Sequence, residues 1–474
     1  MIKHYNNKPR LYYKMTTIIL SDEQEQALTA FNNGSNLLLT GPGGSGKTAL
    51  IKKMVETSKA NGKNIQVCAL TGCAAVLLNC QAKTVHSWAG IGLANGPADL
   101  VIKRIVGNKK KTHNWKKVDI LIIDEVSMMS QKIFEILDGI ARGVRKQNSH
   151  LPFGGIQLVF SGDFYQLPPV SSSANNTSLS IGGGGYGYEY DDSAASAFCF
   201  ESPIWESTID TVVQLKKIFR QTDDVYTNIL NRIRVGKLSK SSFDILNRQL
   251  NKSIPDTFKP TILLPRKRDV EVINIAELSK LTSDDKKFTL QRVELLPEEL
   301  AKTYNSSSSS HISAEQREME YTYMVNNIMA EKEIILKVGA QVMCIANIDM
   351  ESAEPLVNGS QGVIIDFVSN GLPLIQFTNG YKRVIQYHTW NSETNASIGV
   401  KQIPLIYAWA VTIHKSQGMS LDMAQIDAGS SIFECGQTYV ALSRIKSLEG
   451  LYLTAFDPQK IKVNKKVQEF YSKL

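Results

Sequence analysis

Three observations predict an α/β fold with parallel sheets and an inserted β module. From Ile18 to about Trp205, short and wholly apolar strands alternate with helical patterns. The same texture returns at Leu405–Ile413 and Gly450–Ala455. Between them, at 336–403, the chain changes to short β segments broken by Gly, Asn and Pro. Strands that are apolar at every position are covered on both faces, as crossover helices cover a parallel sheet. The middle texture is that of a small antiparallel module or barrel set into the second α/β unit.

The elements follow in order. "LLLT" (37–40) is an apolar strand, followed by a Gly-rich loop and a helix over Ala49–Ala60. Ile65–Leu70, Ile120–Ile123 and Ile156–Ser161 read as further strands. The Gly/Tyr-rich run at 171–192 and the Ser run at 305–310 read as flexible low-complexity loops, and 282–333 receives no assignment. The β module is read from "LKVGAQVMCIANID", "GVIIDF", "LPLIQF" and "RVIQYHTW". Residues 1–17 are basic and lack the apolar core of a secretory signal. They read as a solvated tail or a transit peptide.

Composition narrows the classes. The 474 residues imply several domains, and 43% apolar content supplies sizeable cores. The 53 basic and 45 acidic residues leave a net charge of +8, which favours a polyanionic partner without establishing one. The six cysteines include no Cys-x-x-Cys pair, which argues against a zinc ribbon and a disulfide framework. No apolar run approaches the roughly 18 residues of a membrane span.

"TGPGGSGKTAL" (40–50) fits Gly-x-x-x-x-Gly-Lys-Ser/Thr between a strand and a helix. Gly41, Gly43, Gly44, Ser45 and Gly46 let the backbone close round phosphate, whose charge suits a helix N-terminus. Lys47 is expected to reach the β- and γ-phosphates of ATP, and Thr48 to ligate Mg²⁺. "ILIIDEVSMM" (120–129) ends a buried strand in two acids. Asp124 is expected to hold Mg²⁺ directly or through water, and Glu125 to orient and polarise the attacking water. The guanine motif Asn-Lys-x-Asp is absent from the sequence, which disfavours GTP. "SGDFYQLPPV" (161–170) ends another strand, with two prolines closing it and Gln166 held at its tip.

The last stretch resembles motif III of superfamily-one helicases. "LSDEQEQAL" (20–28), "LKKIFRQ" (215–221), "VTIHKSQGMSLD" (411–422) and "TYVALSRIKS" (438–447) resemble the Q motif and motifs IV, V and VI. With "TGCAA" (71–75), "TVHSWAGIG" (84–92) and "LVNGSQGVI" (356–364), they resemble the petite-integration-frequency (PIF) branch, superfamily 1B. The resemblance covers roughly 18–456. It implies an ATP-dependent DNA helicase moving 5′ to 3′ on single-stranded DNA. It also implies ATP held between two RecA-like P-loop domains, 1A (18–213) and 2A (214–335 and 404–474). A wedge would be inserted at about 91–117 and an SH3-like 2B domain at 336–403. Little chain is expected outside this core.

The resemblance also implies roles. Gln24 would read adenine, Gln166 would contact the γ-phosphate, Arg220 and Arg444 would neutralise it, and Gly418 would border the nucleotide. Thr84, His86, Ser87, Trp88, Lys267, His414, Lys415 and Gln417 would line the DNA path or couple it to ATP. Arg266 stands where such helicases usually carry Thr. Trp88 reads either as a stacking platform or as core, and His86 as a contact or a buried structural histidine. Val101–Lys117, with seven Lys/Arg and no acid, reads as a phosphate-holding wedge or a solvated face. Single strands, single–double-strand junctions, a monomeric state and no membrane are the expected partner profile. The location implied is the nucleus or mitochondrion of a eukaryote, or otherwise the cytoplasm or a viral replication site. A translocase that does not separate strands, and an idle nucleic-acid-binding module, remain the competing readings.

Overall fold

The computed structural model describes residues 20–474 except 79, 81, 93, 95, 110, 170–195, 251, 255–258, 295–313, 349–355, 357 and 393–397. The basic tail, the Gly/Tyr-rich run and the Ser run therefore lie outside the described residues.

Six parallel strands form the first sheet, in the order Lys83–Thr84, Ile65–Ala69, Ile120–Asp124, Gln157–Gly162, Leu37–Thr40, Thr211–Gln214. The uniform apolarity of the central strands has the expected cause. Leu37, Leu39, Ile120 and Ile122 pack into a core on one face, while Leu38, Leu121 and Ile123 pack on the other. All are buried, so neither face has a polar alternate. Helices Ala98–Val106 and Thr112–Lys117 lie beside this domain against helix Gln131–Val144. Gly139 admits Ile102 there, since a Cβ would sit 2.5 Å from its Cδ1.

The second sheet has four parallel strands, in the order Ala410–Thr412, Thr261–Leu264, Ala424–Ala428, Leu451–Phe456. Between its first and second chain segments the described residues form three antiparallel sheets. The largest runs Lys382–Val384, Pro373–Phe377, Gln361–Phe367, Gln341–Cys344, Leu405–Tyr407.

The strand pairing differs from the sequence reading at two places. Leu405–Ile413 is not one strand of the α/β unit. Leu405–Tyr407 pairs antiparallel with Gln341–Cys344, and only Ala410–Thr412 enters the parallel sheet. Both runs are apolar, so periodicity carries no sign of the change at Ala408–Trp409. The antiparallel strands also begin before 336. Lys286–Thr289 pairs with Glu333–Leu336, and Gln291–Glu294 with Ile398–Gln402. These edge strands are mostly exposed and polar, which hid them.

Candidate functional site

The C-terminal ends of the first sheet's strands open on a cavity of about 510 Å³, where open α/β sheets place ligands. Its wall includes Gly43, Gly44, Ser45, Gly46, Lys47 and Thr48 from the loop after Leu37–Thr40. Asp124, Glu125 and Gln166 enter from the neighbouring strand ends, and Arg220, Gly418 and Arg444 close the far side.

The loop needs its glycines. Gly44 and Gly46 both have φ of 84°. A Cβ on Gly44 would fall 2.5 Å from the Arg220 Cβ, and one on Gly46 2.6 Å from the Gln24 Nε2. Gly46 caps helix Lys47–Ala60, whose first N–H groups open towards the cavity. The Gly43 N–H donates to the Tyr439 hydroxyl at 3.0 Å, a direct link across the cleft.

Three cations face this loop, and their hydrogen bonds go to neutral oxygens. Lys47 Nζ donates to the Gly41 and Pro42 carbonyls at 2.7 and 3.0 Å. Arg220 donates to the Ser443 carbonyl at 3.2 Å. Arg444, only 1% exposed, donates to the Val440 carbonyl and the Ser443 hydroxyl at 2.9 and 2.7 Å. Burial lowers the pKa of all three, and Arg444 falls to about 9 because Arg220 adds its repulsion. Arg444 is buried and Lys47 and Arg220 half-buried, and cations so placed without carboxylate partners in hydrogen-bond contact make an anion site.

Two carboxylates stand opposite. Asp124 accepts from the Ser161 hydroxyl at 2.7 Å, and burial raises its pKa. Glu125 has φ 57° and ψ 41°, a left-handed conformation that costs a non-glycine residue about 1–3 kcal/mol. Burial, and then the charge of Asp124, push its carboxyl up to about 7. Gln417 Nε2 donates to Glu125 Oε2 at 2.9 Å and lies 3.5 Å from Gln166 Oε1. The Gln166 backbone N–H is held by the Asp163 carbonyl at 2.8 Å, and Asp163 by a two-bond pair with Arg234.

Several expected site residues stand elsewhere. Trp88 cannot be a stacking platform in this structure: it is 4% exposed and packs on Trp115 with ring centroids 4.6 Å apart. A large apolar ring at the inner end of a short helix fills the nearest core before it serves a surface. Gln417, expected to line the DNA path or to couple it to ATP, donates to the carboxylate of Glu125. Gly41 and Gln24 lie behind the cavity wall. Gln24 spends its side chain on a capping box with Ser21 and on the Ser45 carbonyl at 3.4 Å. Thr84 caps helix Val85–Ala89 by accepting from the Ser87 N–H at 3.3 Å. His86 and Ser87 are half-buried, and burial holds the His86 imidazole below its usual pKa. His414 is exposed, and Lys415 lies 3.8 Å from Glu331. Lys267 is exposed on the first turn of its helix, 3.3 Å from Glu271. In the basic run, Arg104 and Lys111 tie down the Ile91 and Gly90 carbonyls, while Lys109, Lys116 and Lys117 are exposed.

Sequence reading missed Lys52, Ala74, Leu78 and Phe219 in the wall, and Tyr439 across the cleft. Phe219 directly precedes Arg220 and Tyr439 lies in the motif around Arg444, so both had a local signal. Lys52 had only its place one turn beyond Thr48.

A phosphate loop, two acids at a strand tip, two arginines facing them from later in the chain and a second parallel sheet define a two-domain, RecA-like P-loop protein. The comparisons give the family. Residues 19–244 match the model described as PIF1-like helicase, and 323–367 match the DNA helicase Pif1, 2B domain. The ATP-dependent DNA helicase PIF1 of Danio rerio is 34% identical over 480 residues, covering 99% of this chain and 66% of the relative. The ATP-dependent DNA helicase RRM3 of Saccharomyces cerevisiae is 30% identical, with 96% and 68% covered. The crystal structure of the Candida albicans Pif1 helicase aligns at TM-score 0.71 and 34% identity, over 96% of this chain and 99% of that one. The chain belongs to the PIF1-like helicase family. It spans just under two thirds of the length of several curated relatives that it matches, among them that of Danio rerio.

Proposed function

We propose that this chain is an ATP-dependent DNA helicase that moves 5′ to 3′ on single-stranded DNA and opens duplexes at single–double-strand junctions. The observation that carries the reading is the set of three cations, Arg444 buried and Lys47 and Arg220 half-buried, facing one phosphate loop and two carboxylates. Relatives bearing the ATP-dependent DNA helicase name support the activity. A Bacteroides Pif1 structure bound to single-stranded DNA, and one giving the structural basis for DNA unwinding at forked double-stranded DNA by two coordinating Pif1 helicases, support the partner class.

Lys47, Arg220 and Arg444 neutralise charge that develops on the γ-phosphoryl group, and this is where most of the rate arises. Arg220 and Arg444 face the phosphate loop from across the cleft, so they act where the two domains meet. The exposed Thr48 hydroxyl and the Asp124 carboxylate are hard oxygen donors, and burial raises the pKa of Asp124 and Glu125. That donor set fits Mg²⁺, which Thr48 and Asp124 would hold and which would offset negative charge on the phosphates. Glu125 accepts the proton of the attacking water. Gln166 senses the γ-phosphate. Gln417 couples it and Glu125 to the segment carrying His414 and Lys415, which we assign with His86 and Ser87 to the DNA path. ATP binding then closes the cleft and hydrolysis releases it, so the grip on DNA alternates. We read the antiparallel module as the SH3-like 2B domain, the helices at 98–117 as the wedge, and the protein as a monomer.

The test is strand displacement on matched duplexes with a 5′ or a 3′ single-stranded tail, with ATP and Mg²⁺. Unwinding of the 5′-tailed duplex alone is expected. Unwinding of the 3′-tailed duplex alone would overturn the polarity. ATP turnover on single strands with neither duplex opened would assign a translocase.

A further inference from the structure

The last helix, Lys465–Ser472, follows the second sheet in the chain but packs against the first domain. Val467, 1% exposed, belongs to the core that includes Phe164, Phe198 and Trp205. Phe470 stacks on Phe200 at 4.4 Å between centroids, and Lys466 pairs with Glu201.

Tyr471 does something else. Its ring stacks on Tyr165 at 4.6 Å with planes 10° apart. Its phenol oxygen lies 2.5 Å from Thr40 Oγ1 and accepts the Phe164 N–H at 3.2 Å. Thr40 ends the strand that leads into the phosphate loop. Phe164 lies in the turn from Asp163 to Gln166 that holds the γ-phosphate glutamine. The Arg234 guanidinium covers both rings, 4.7 Å from Tyr165 and 5.5 Å from Tyr471. One hydroxyl thus joins the roots of two segments that must meet the same phosphate. Burial raises the phenol pKa further above its ordinary value, so the oxygen stays protonated and can donate to Thr40 while accepting from Phe164.

We propose that Tyr471 is a positioning residue for ATP hydrolysis, its phenol oxygen fixing the phosphate loop relative to the turn that presents Gln166. The inference rests on the ATPase reading above. A displacement of about 1 Å at such a junction is enough to lose much of the rate without weakening ground-state binding.

The experiment is steady-state ATP turnover with single-stranded DNA, with melting measured in parallel, on the wild type, Tyr471→Phe and Phe470→Leu. Tyr471→Phe keeps the stacked ring and loses only the hydroxyl. Its kcat is expected to fall about tenfold, with KM for ATP within about twofold and melting lowered by about 5 °C or less. Phe470→Leu loosens the same helix, so its melting temperature falls while kcat stays within about twofold. The proposal is overturned if Tyr471→Phe keeps its kcat, if its loss lies in KM, or if Phe470→Leu loses kcat to the same degree. Absence of turnover in the wild type would overturn the functional reading itself, and this inference with it.

Discussion

Arg234→Met tests how much of the site rests on one buried ion pair. The substitution removes two hydrogen bonds to Asp163, at 2.9 and 2.8 Å, and keeps most of the side-chain length. Asp163 has no solvent exposure, so its carboxylate would face a thioether. The neutral bond that remains, from the Tyr165 N–H at 3.2 Å, does not replace a cation. Burial alone would lower the Arg234 pKa, yet the charge and hydrogen bonds of Asp163 raise it above the ordinary value. The pair therefore favours the folded state. Removing one partner of a buried pair costs about 3–5 kcal/mol. At about 2–4 °C per kcal/mol, the first melting transition should fall by roughly 6–20 °C. The assay is thermal denaturation of the wild type, Arg234→Met, Asp163→Asn and the double variant. The double variant leaves no uncompensated charge and should melt above Arg234→Met. Melting of Arg234→Met within about 1 °C of wild type, or strictly additive losses in the double variant, would refute the reasoning.

Three other outcomes are expected. Lys47→Ala should abolish ATP turnover and leave most single-strand affinity, measured by fluorescence anisotropy. Glu125→Gln should slow turnover about 100-fold or more, and it should also stabilise the free protein. Between pH 4.5 and about 7 folded Glu125 holds a proton that the unfolded chain releases, so wild-type stability falls as pH rises through that window. At pH 8 the variant should melt above the wild type, by the equivalent of at most about 3 kcal/mol, and the gap should close in acid. Neutralising Lys109, Lys116 and Lys117 together should reduce the slope of log affinity against log salt by about 2 on single strands, whereas an unchanged slope returns these lysines to a solvated face.

Local sequence determined the parts of this site that depend on chain geometry alone. Gly41–Thr48 reads as a phosphate loop because only glycines permit its backbone, and Asp124–Glu125 as a strand-end pair because the strand before it is wholly apolar. Gln166 is legible for the same reason, held between a strand and two prolines. The resemblance extended this to Arg220 and Arg444, which no local rule would join to a loop more than a hundred residues away. Tertiary structure decided what depends on which surfaces meet. Trp88 and Trp115 share a core, Gln417 turns to Glu125, and Leu405–Tyr407 leaves the parallel sheet for an antiparallel one. Likewise no pattern in "KKVQEFYSKL" indicates that the Tyr471 hydroxyl lies between Thr40 and Phe164. Backbone conformation is a property of a few adjacent residues, so sequence carries it. Burial and hydrogen-bond partners are properties of distant segments brought together, so they exist only once the chain has folded.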